Sequence, residues 1–421
     1  MNQDSLVSSY APPFKVIVKY FVASVLSFIL LNFLLMINYS DVNGFHFQPK
    51  ILAMTHIATL GWITMVIFGA MFQFVPIVLE VKLFSTLMAE IQFWIFILGI
   101  VGLVTGFWNF DTGIHLTASA ILLNVAILIF SINIIVTMTK VKKWNITGLY
   151  LAASIFYLIV TGAAGLLLSI NLGFPFIKIN HLQYLNLHAH VAFIGWVSMV
   201  IMGVSFKIIP MFTLAHGYSE KSGKIAFWLI NIGLLGISTV MHYENLTASF
   251  YISALFIVVG IFFFLYQMMV IFKSRLRKKS DIGIKFSKFA YTMLGITTLF
   301  GILITFTNLS NEMNVTLIYG YLIIFGYISM LTIGQLYKIM PFLVWYHKYS
   351  SKAGIEKVPM LKDMFKEKLA ASGYYIMVVA LAGVIFSFAF QIPDCLLISF
   401  TVMFVGSVIF LINFLYILFK A

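Results

Sequence analysis

Charged residues are scarce in this sequence. Asp, Glu, Lys and Arg together make up 9% of the 421 residues, whereas 62% are hydrophobic and the mean hydropathy is +1.04. In an ordinary soluble domain about a quarter of the residues are charged. The chain lacks the polar surface of a water-soluble protein, which excludes a soluble globular enzyme, and lipid must surround most of it.

Cysteine is almost absent, since Cys395 is the only one. A single thiol excludes an internal disulfide, a cluster held by several thiolates and the CxxCH motif that attaches heme covalently. Any heme must therefore be held noncovalently. The first 15 residues also lack a short apolar core followed by a small-residue cleavage site, so we predict no signal peptide and a retained first helix.

Long apolar runs are abundant, and each approaches or exceeds the roughly 20 residues that span a bilayer as a helix. A β-barrel would show short segments of alternating polarity instead. We therefore predict an all-α membrane protein of about twelve transmembrane helices, near residues 15–37, 51–79, 90–107, 114–138, 147–171, 183–212, 225–241, 248–272, 288–306, 316–345, 370–390 and 394–418.

The net charge of +13 is explained by membrane topology. With the N-terminus inside, every Lys and Arg except Lys50 and Lys178 falls in a cytoplasmic segment, as the positive-inside rule requires. Both termini are then cytoplasmic. The richest basic run, residues 273–279, fits a loop that touches anionic lipid headgroups. We predict no nucleic-acid partner.

Helices two, six and ten share one sequence pattern. They read MTHIATLGWITMVIFGAMFQFVP, HAHVAFIGWVSMVIMGVSFKIIP and YGYLIIFGYISMLTIGQLYKIMP. The same spacing aligns Gly61, Gly195 and Gly326, then Trp62, Trp196 and Tyr327, then Gly69, Gly203 and Gly334, and finally Pro76, Pro210 and Pro341. We predict one polytopic domain, residues 1–421, built from three pseudo-threefold four-helix blocks near 15–138, 147–272 and 288–418. For the glycines and prolines we expect a packing role.

Two histidines occupy the same position in this pattern. His56 and His190 each precede the first shared glycine by five residues, and Tyr321 replaces them in the third copy. In the predicted topology they lie roughly 5 to 10 Å below the outer boundary of the membrane core. Histidine at this depth is either a hydrogen-bonded interhelical residue or a metal ligand. Their equivalence favours ligation, with one planar cofactor between them.

His188 lies two residues before His190. On a helix the two side chains are about 200° apart, so they cannot comfortably share one metal ion. We expect His188 to face either a second cofactor or the outer surface.

The sequence of helix six resembles a helix of the C-type heme-copper oxidases, because an HxH pair precedes Gly-Trp and a distal Pro. The twelve predicted helices also resemble the catalytic subunit of that superfamily. The resemblance implies that His190 is a low-spin heme ligand, that His56 is its opposite axial ligand and that His188 is the candidate for a second heme. It also implies a bacterial inner (plasma) membrane protein.

The chain departs from that family in several places. The family usually carries the HxH pair on helix ten, where this sequence has Tyr319, Gly320 and Tyr321. Helix seven offers only His242 at its outer end, so a three-histidine copper site is not expected. The helical cores contain essentially no Asp or Glu, which argues against a proton pump. The family's propionate-binding arginine pair is missing, because both arginines are cytoplasmic.

These features predict a membrane-bound b-type heme protein with one or two hemes near the outer face, a divergent member of the superfamily. It would act in electron transfer or in O₂ or NO chemistry, the latter as a terminal-oxidase-like or NO-reductase-like oxidoreductase. Expected partners are the lipid bilayer and a redox partner or another respiratory subunit. Two alternatives stay open: a metal or small-molecule transporter or assembly factor on the same scaffold, and a noncatalytic respiratory subunit that binds through the loop 346–369.

Overall fold

A computed structural model describes residues 10–42, 44–45, 47–177, 181–240, 246–307, 309 and 312–420. Lys178 and His242, both named above, lie outside these residues.

Twelve helices within the described residues are long and apolar enough to span a membrane. We number them α1 to α12: Phe14–Ile37, Pro49–Leu79, Thr86–Trp108, Ile114–Met138, Ile146–Gly173, His181–Thr213, Lys221–Val240, Thr247–Lys273, Ile282–Phe306, Met313–Lys352, Glu367–Phe390 and Pro393–Phe419. The same residues form no β-strand. The predicted fold class, an all-α membrane protein of about twelve spans, is confirmed, whereas the grouping into three blocks of four stays a prediction.

Capping residues explain where several of these helices begin. Ser85, Asn145 and Asp281 each accept a hydrogen bond from a backbone N–H three residues further along, at 3.1, 2.8 and 3.2 Å. Such caps satisfy donors that have no partner inside the first helical turn. The apolar runs alone place these boundaries a few residues too late, because they do not register a polar cap.

The described chain divides into two compact units, each described here by itself. The first comprises Met1–Tyr20 and Ile67–Lys278, and the second comprises Phe21–Val66 and Lys279–Ala421. The boundaries of the three repeat blocks stay a prediction.

A side-chain amide near the end of the last helix of each predicted block binds the backbone at the start of the third helix. In the first unit Asn133 binds both the N–H and the C=O of Ser85, the residue before α3, at 3.0 and 2.7 Å. Gln267 binds two residues around the start of α7, the N–H of Gly223 and the C=O of Ser219, at 3.1 and 2.9 Å. In the second unit Asn413 binds both backbone groups of Lys366, at 2.9 and 3.0 Å. We call these three contacts the amide clamps.

Glycines let the first two helices of a block approach closely. A β-carbon on Gly203 of α6 would lie 2.8 Å from the Tyr150 β-carbon of α5, and one on Gly334 of α10 would lie 2.6 Å from the Phe286 β-carbon of α9. Such distances are too short for any side chain larger than hydrogen. The predicted packing role is therefore visible at these two positions.

The space around the first glycine of the pattern differs between copies, and substitution by alanine can test this difference. A β-carbon on Gly195 would lie 2.5 Å from the Tyr157 ring, and that ring is tied at its far end because its hydroxyl donates to Asn231 at 2.9 Å. A β-carbon on Gly326 would meet nothing closer than 3.5 Å. We expect Gly195→Ala to lower the free energy of unfolding by about 1–3 kcal/mol through overpacking. Gly326→Ala should be neutral or slightly stabilising, because alanine favours a helix.

Unfolding of both variants in detergent micelles, followed by circular dichroism, measures the difference. Equal stabilities would contradict the packing described for Gly195.

The amide clamps give a second test. Replacing Asn133 or Asn413 with leucine leaves a partly buried backbone N–H and C=O without their partner, so each variant should lose about 1 kcal/mol of stability. Thr401→Val is the matched control, because the exposed Thr401 hydroxyl donates only to Leu397 of its own helix at 2.8 Å. The same unfolding measurement applies. If the leucine variants are as stable as the control, the clamps contribute nothing to stability.

Candidate functional site

A change of helical winding marks the shared pattern in all three copies. Eight residues adopt π-helical geometry in each of α2, α6 and α10, namely Ile57–Thr64, Val191–Ser198 and Leu322–Ser329. These three π segments begin directly after His56, His190 and Tyr321. π-Helical turns are rare and occur frequently at functional sites. The residues proposed as ligands from sequence therefore stand where each helix changes its winding.

Both histidines make the same hydrogen bond one turn back on their own helix. His56 Nδ1 lies 2.7 Å from the Leu52 carbonyl oxygen, and His190 Nδ1 lies 2.7 Å from the Asn186 carbonyl oxygen. A carbonyl oxygen can only accept, so in each ring Nδ1 must carry the hydrogen. In a neutral imidazole Nε2 is then the nitrogen that carries the lone pair. This is the tautomer that a metal ion requires, with the N–H oriented by a carbonyl.

The two rings differ in exposure and in unit. His190 belongs to the first unit and is exposed, whereas His56 belongs to the second unit and is half-buried. The environment of each ring is therefore given within its own unit.

His188 contacts the neighbouring helix of its block. A β-carbon on Gly165 of α5 would lie 3.1 Å from His188 Cε1, so the missing side chain of Gly165 leaves room for the imidazole. The His190 ring instead bonds back to Asn186 of its own helix. The two side chains of the HxH pair have different surroundings, in agreement with their expected separation around the helix. A second cofactor at His188 stays a prediction.

Tyr321 takes the equivalent position in the third copy. Its side chain is 8% exposed and stacks on Phe325 with ring centroids 4.3 Å apart. Its hydroxyl is buried and has no hydrogen-bond partner in the described part of the chain. Sequence analysis assigned no role to this residue and missed its burial. The only signal that could have drawn attention to it is its alignment with His56 and His190.

Two of the π segments pack together within the second unit. Trp62 of α2 donates from its indole nitrogen to the Ser329 hydroxyl of α10 at 3.0 Å. Phe28 of α1 lies against both helices, with ring centroids 4.7 Å from Trp62 and 6.4 Å from Phe325. In the first unit Trp196, the equivalent of Trp62, lies 6.0 Å from the Phe68 ring. Aromatic packing thus surrounds the π segments in both units.

Ion pairs occur away from the π segments. Lys19 of α1 pairs with Glu90 of α3, and Lys338 of α10 pairs with Asp281 at the start of α9. Within the described ranges no group of three or more His, Cys, Asp or Glu side chains could hold a metal ion. A site in the described residues would therefore draw on one or two protein ligands, as an iron porphyrin does.

Comparison with known proteins gives one family. Residues 117–249 match the family of cytochrome c and quinol oxidase polypeptide I. This stretch is less than half of the chain and runs from α4 into the first turn of α8, so it contains His188 and His190 but neither His56 nor Tyr321. No curated protein matches the sequence. The match agrees with the resemblance that the HxH helix predicts, and residues 117–249 are similar to subunit I of the heme-copper oxidase superfamily.

Proposed function

We propose that the chain is a membrane-bound b-type heme protein that acts in electron transfer or in O₂ or NO chemistry. The observation that carries the proposal is the shared state of His56 and His190. They occupy one position of a repeated pattern, each directly precedes a π segment, and each has Nδ1 hydrogen-bonded to a helix carbonyl. Nε2 is then the nitrogen with the lone pair in both, and we propose it as the ligand atom.

The donor set fits heme. Histidine nitrogen is a common axial ligand of heme iron, and bound heme supplies a one-electron iron couple. We assign His56 and His190 as iron ligands, and His188 as the candidate ligand of a second heme. The carbonyls of Leu52 and Asn186 orient the two rings and raise the basicity of Nε2, as outer hydrogen bonds do for metal-bound histidines. No copper ligand is proposed.

Aromatic residues would keep water away from the ligands. Six residues beyond each histidine stands a buried tryptophan, Trp62 or Trp196. Trp62 packs on Phe28 and lies 6.3 Å from Phe410, whereas Trp196 lies 6.4 Å from Phe130. A dry, low-dielectric surrounding favours movement of an electron over movement of a proton. This supports a redox role in preference to proton pumping.

We propose that the N-terminal ends of α2, α6 and α10 face the outside of a bacterial plasma membrane. Lysine and arginine then concentrate on the cytoplasmic side, where the positive-inside rule places them. The heme would lie near the outer face. An electron donor or acceptor outside the membrane, or another respiratory subunit, could reach it there.

The loop after α10 is the proposed contact surface for such a subunit or for the membrane surface. Trp345, in the last turns of α10, donates to the Pro359 carbonyl of the loop at 2.7 Å, which holds the loop against the end of the helix. Ile355 and Met360 are 83% and 62% exposed, and lysines flank them. Apolar side chains among lysines suit a headgroup interface.

Removal of either assigned ligand should remove bound heme. In His56→Ala and His190→Ala no side-chain nitrogen remains at the ligand position, so we expect the Soret absorbance per protein to fall to background after purification. His347→Ala and His115→Ala are the matched controls, because His347 is exposed near the end of α10 and His115 pairs with Asp111 at 3.2 Å. Both controls should keep full heme.

Addition of imidazole to His190→Gly separates a lost ligand from a lost fold. A restored Soret band is expected, because free imidazole can supply the missing nitrogen. Full heme occupancy in both alanine variants would rule out the ligand assignment.

A second measurement distinguishes electron transfer from gas chemistry. If His56 and His190 both bind iron, the reduced protein should show a sharp α-band and no spectral response to carbon monoxide. If the protein also holds a heme with an open position, carbon monoxide or nitric oxide should shift the Soret band. A protein that takes up no heme when heme supply is ample would contradict the proposed function and favour the transporter alternative.

A further inference from the structure

Tyr321 is the feature that the proposed function leaves unexplained. It takes the position of His56 and His190 in the repeated pattern, and like them it directly precedes a π segment. The backbone arrangement is therefore kept in the third copy, whereas the ligand atom changes from an imidazole nitrogen to a phenol oxygen.

The buried hydroxyl is energetically costly where it stands. Tyr321 is 8% exposed, its ring stacks on Phe325, and the Phe400 ring lies 6.2 Å away. No acceptor reaches the hydroxyl within the described residues. A buried polar group left without a partner destabilises a protein. Phenylalanine would fill the same space without that cost, so the hydroxyl implies a ligand that carries an acceptor.

Tyr321 and His56 belong to the same unit and to packed helices. The hydrogen bond from Trp62 to Ser329 joins the two π segments, and Phe28 packs against both helices. His56 directly precedes one of these segments and Tyr321 directly precedes the other. A ligand held by His56 is thus bound beside the helix that carries the unpaired hydroxyl.

The chemical structure of heme b indicates which group would accept a hydrogen bond from Tyr321. Apart from the iron and its axial ligands, its strong hydrogen-bond acceptors are two carboxylates, and these need donors. Both arginines lie at the end of α6 away from His190, because Arg275 forms a backbone bridge with Ala215 and the Arg277 backbone N–H bonds to the Thr213 carbonyl at 3.1 Å. Thr213 ends α6, about 35 Å along the helix from His190 at the usual rise per residue.

We propose that the Tyr321 hydroxyl donates a hydrogen bond to a carboxylate of the heme that His56 binds. This rests on the proposed function and adds to it the residue that recognises the carboxylate end of the heme. A neutral phenol takes over the task that a positively charged side chain would otherwise perform. A hydrogen bond to a charged acceptor is among the stronger ones in proteins.

The experiment compares Tyr321→Phe with the unaltered protein, each loaded once with hemin and once with hemin dimethyl ester. Loss of heme to excess apomyoglobin is followed by absorbance. With hemin, the variant should release heme about tenfold faster, because one hydrogen bond to a charged group is lost. With the dimethyl ester, which has no carboxylate, the two proteins should release heme at the same rate.

Tyr337→Phe is the control on the same helix, because the Tyr337 hydroxyl is buried and accepts a hydrogen bond from Asn413 at 3.4 Å. It should release hemin at the unaltered rate. Thermal unfolding of the heme-free proteins gives a readout independent of heme. Tyr321→Phe should unfold at the same or a higher temperature, whereas Tyr337→Phe should unfold at a lower one.

Two results would overturn the inference. Release of hemin at the unaltered rate would mean that the hydroxyl does not contact heme. Equal acceleration with hemin and with its dimethyl ester would mean that the acceptor is a trapped water or an iron-bound group. Retention of heme by both His56→Ala and His190→Ala would instead refute the ligand assignment on which the inference depends, so the two failures are distinguishable.

Discussion

The hydrocarbon of a bilayer offers no water to satisfy a backbone N–H or C=O, and most features of this chain follow from that constraint. Within a helix the backbone N–H and C=O groups bond to one another. In the segments between helices, and at turns where the winding changes, these groups need other partners. The amide clamps supply partners for Ser85, Gly223 and Lys366, where the chain enters the third helix of a block. The ring N–H of His56 and of His190 likewise bonds to a helix carbonyl directly before a π segment.

The same constraint explains how one scaffold can hold different chemistry. The three repeat helices keep their glycines, their prolines and their π segments, whereas the residue before the π segment is His, His or Tyr. Backbone hydrogen bonding sets the geometry of all three copies, so the side chain at this position can vary without loss of the fold. Under the proposed function, the chemistry of the scaffold depends on which donor atom each copy presents.

The sequence predicted the architecture well because length and hydropathy decide it. Twelve apolar runs became twelve helices, and the repeated pattern selected His56 and His190 before any coordinates were considered. The π segments were not predictable, because a helix that is apolar on all sides has no polar face whose period could reveal a change in winding. The amide clamps were missed as well, because residues about 50 positions apart in the sequence form each pair, and only tertiary packing brings them together.

Identical positions in the pattern also proved to have different surroundings. A β-carbon on Gly195 would lie 2.5 Å from a tyrosine ring, whereas the nearest atom to a β-carbon on Gly326 would lie 3.5 Å away, although the two glycines align without a gap. Tyr321 is a further case, because it stacks on Phe325 of its own helix and lies near Phe400 of α12. These differences depend on which residues pack around each position, and a single sequence does not show which residues those are.

Each amide clamp joins residues of one predicted four-helix block, and this bears on how the chain enters the membrane. A ribosome delivers the helices in order, and contacts between segments close in sequence form sooner than contacts between distant ones. The Asn133 clamp can close once α4 has emerged, and the Gln267 clamp once α8 has done so. Each group of four helices can thus lock its own third helix during synthesis, before the next group leaves the ribosome.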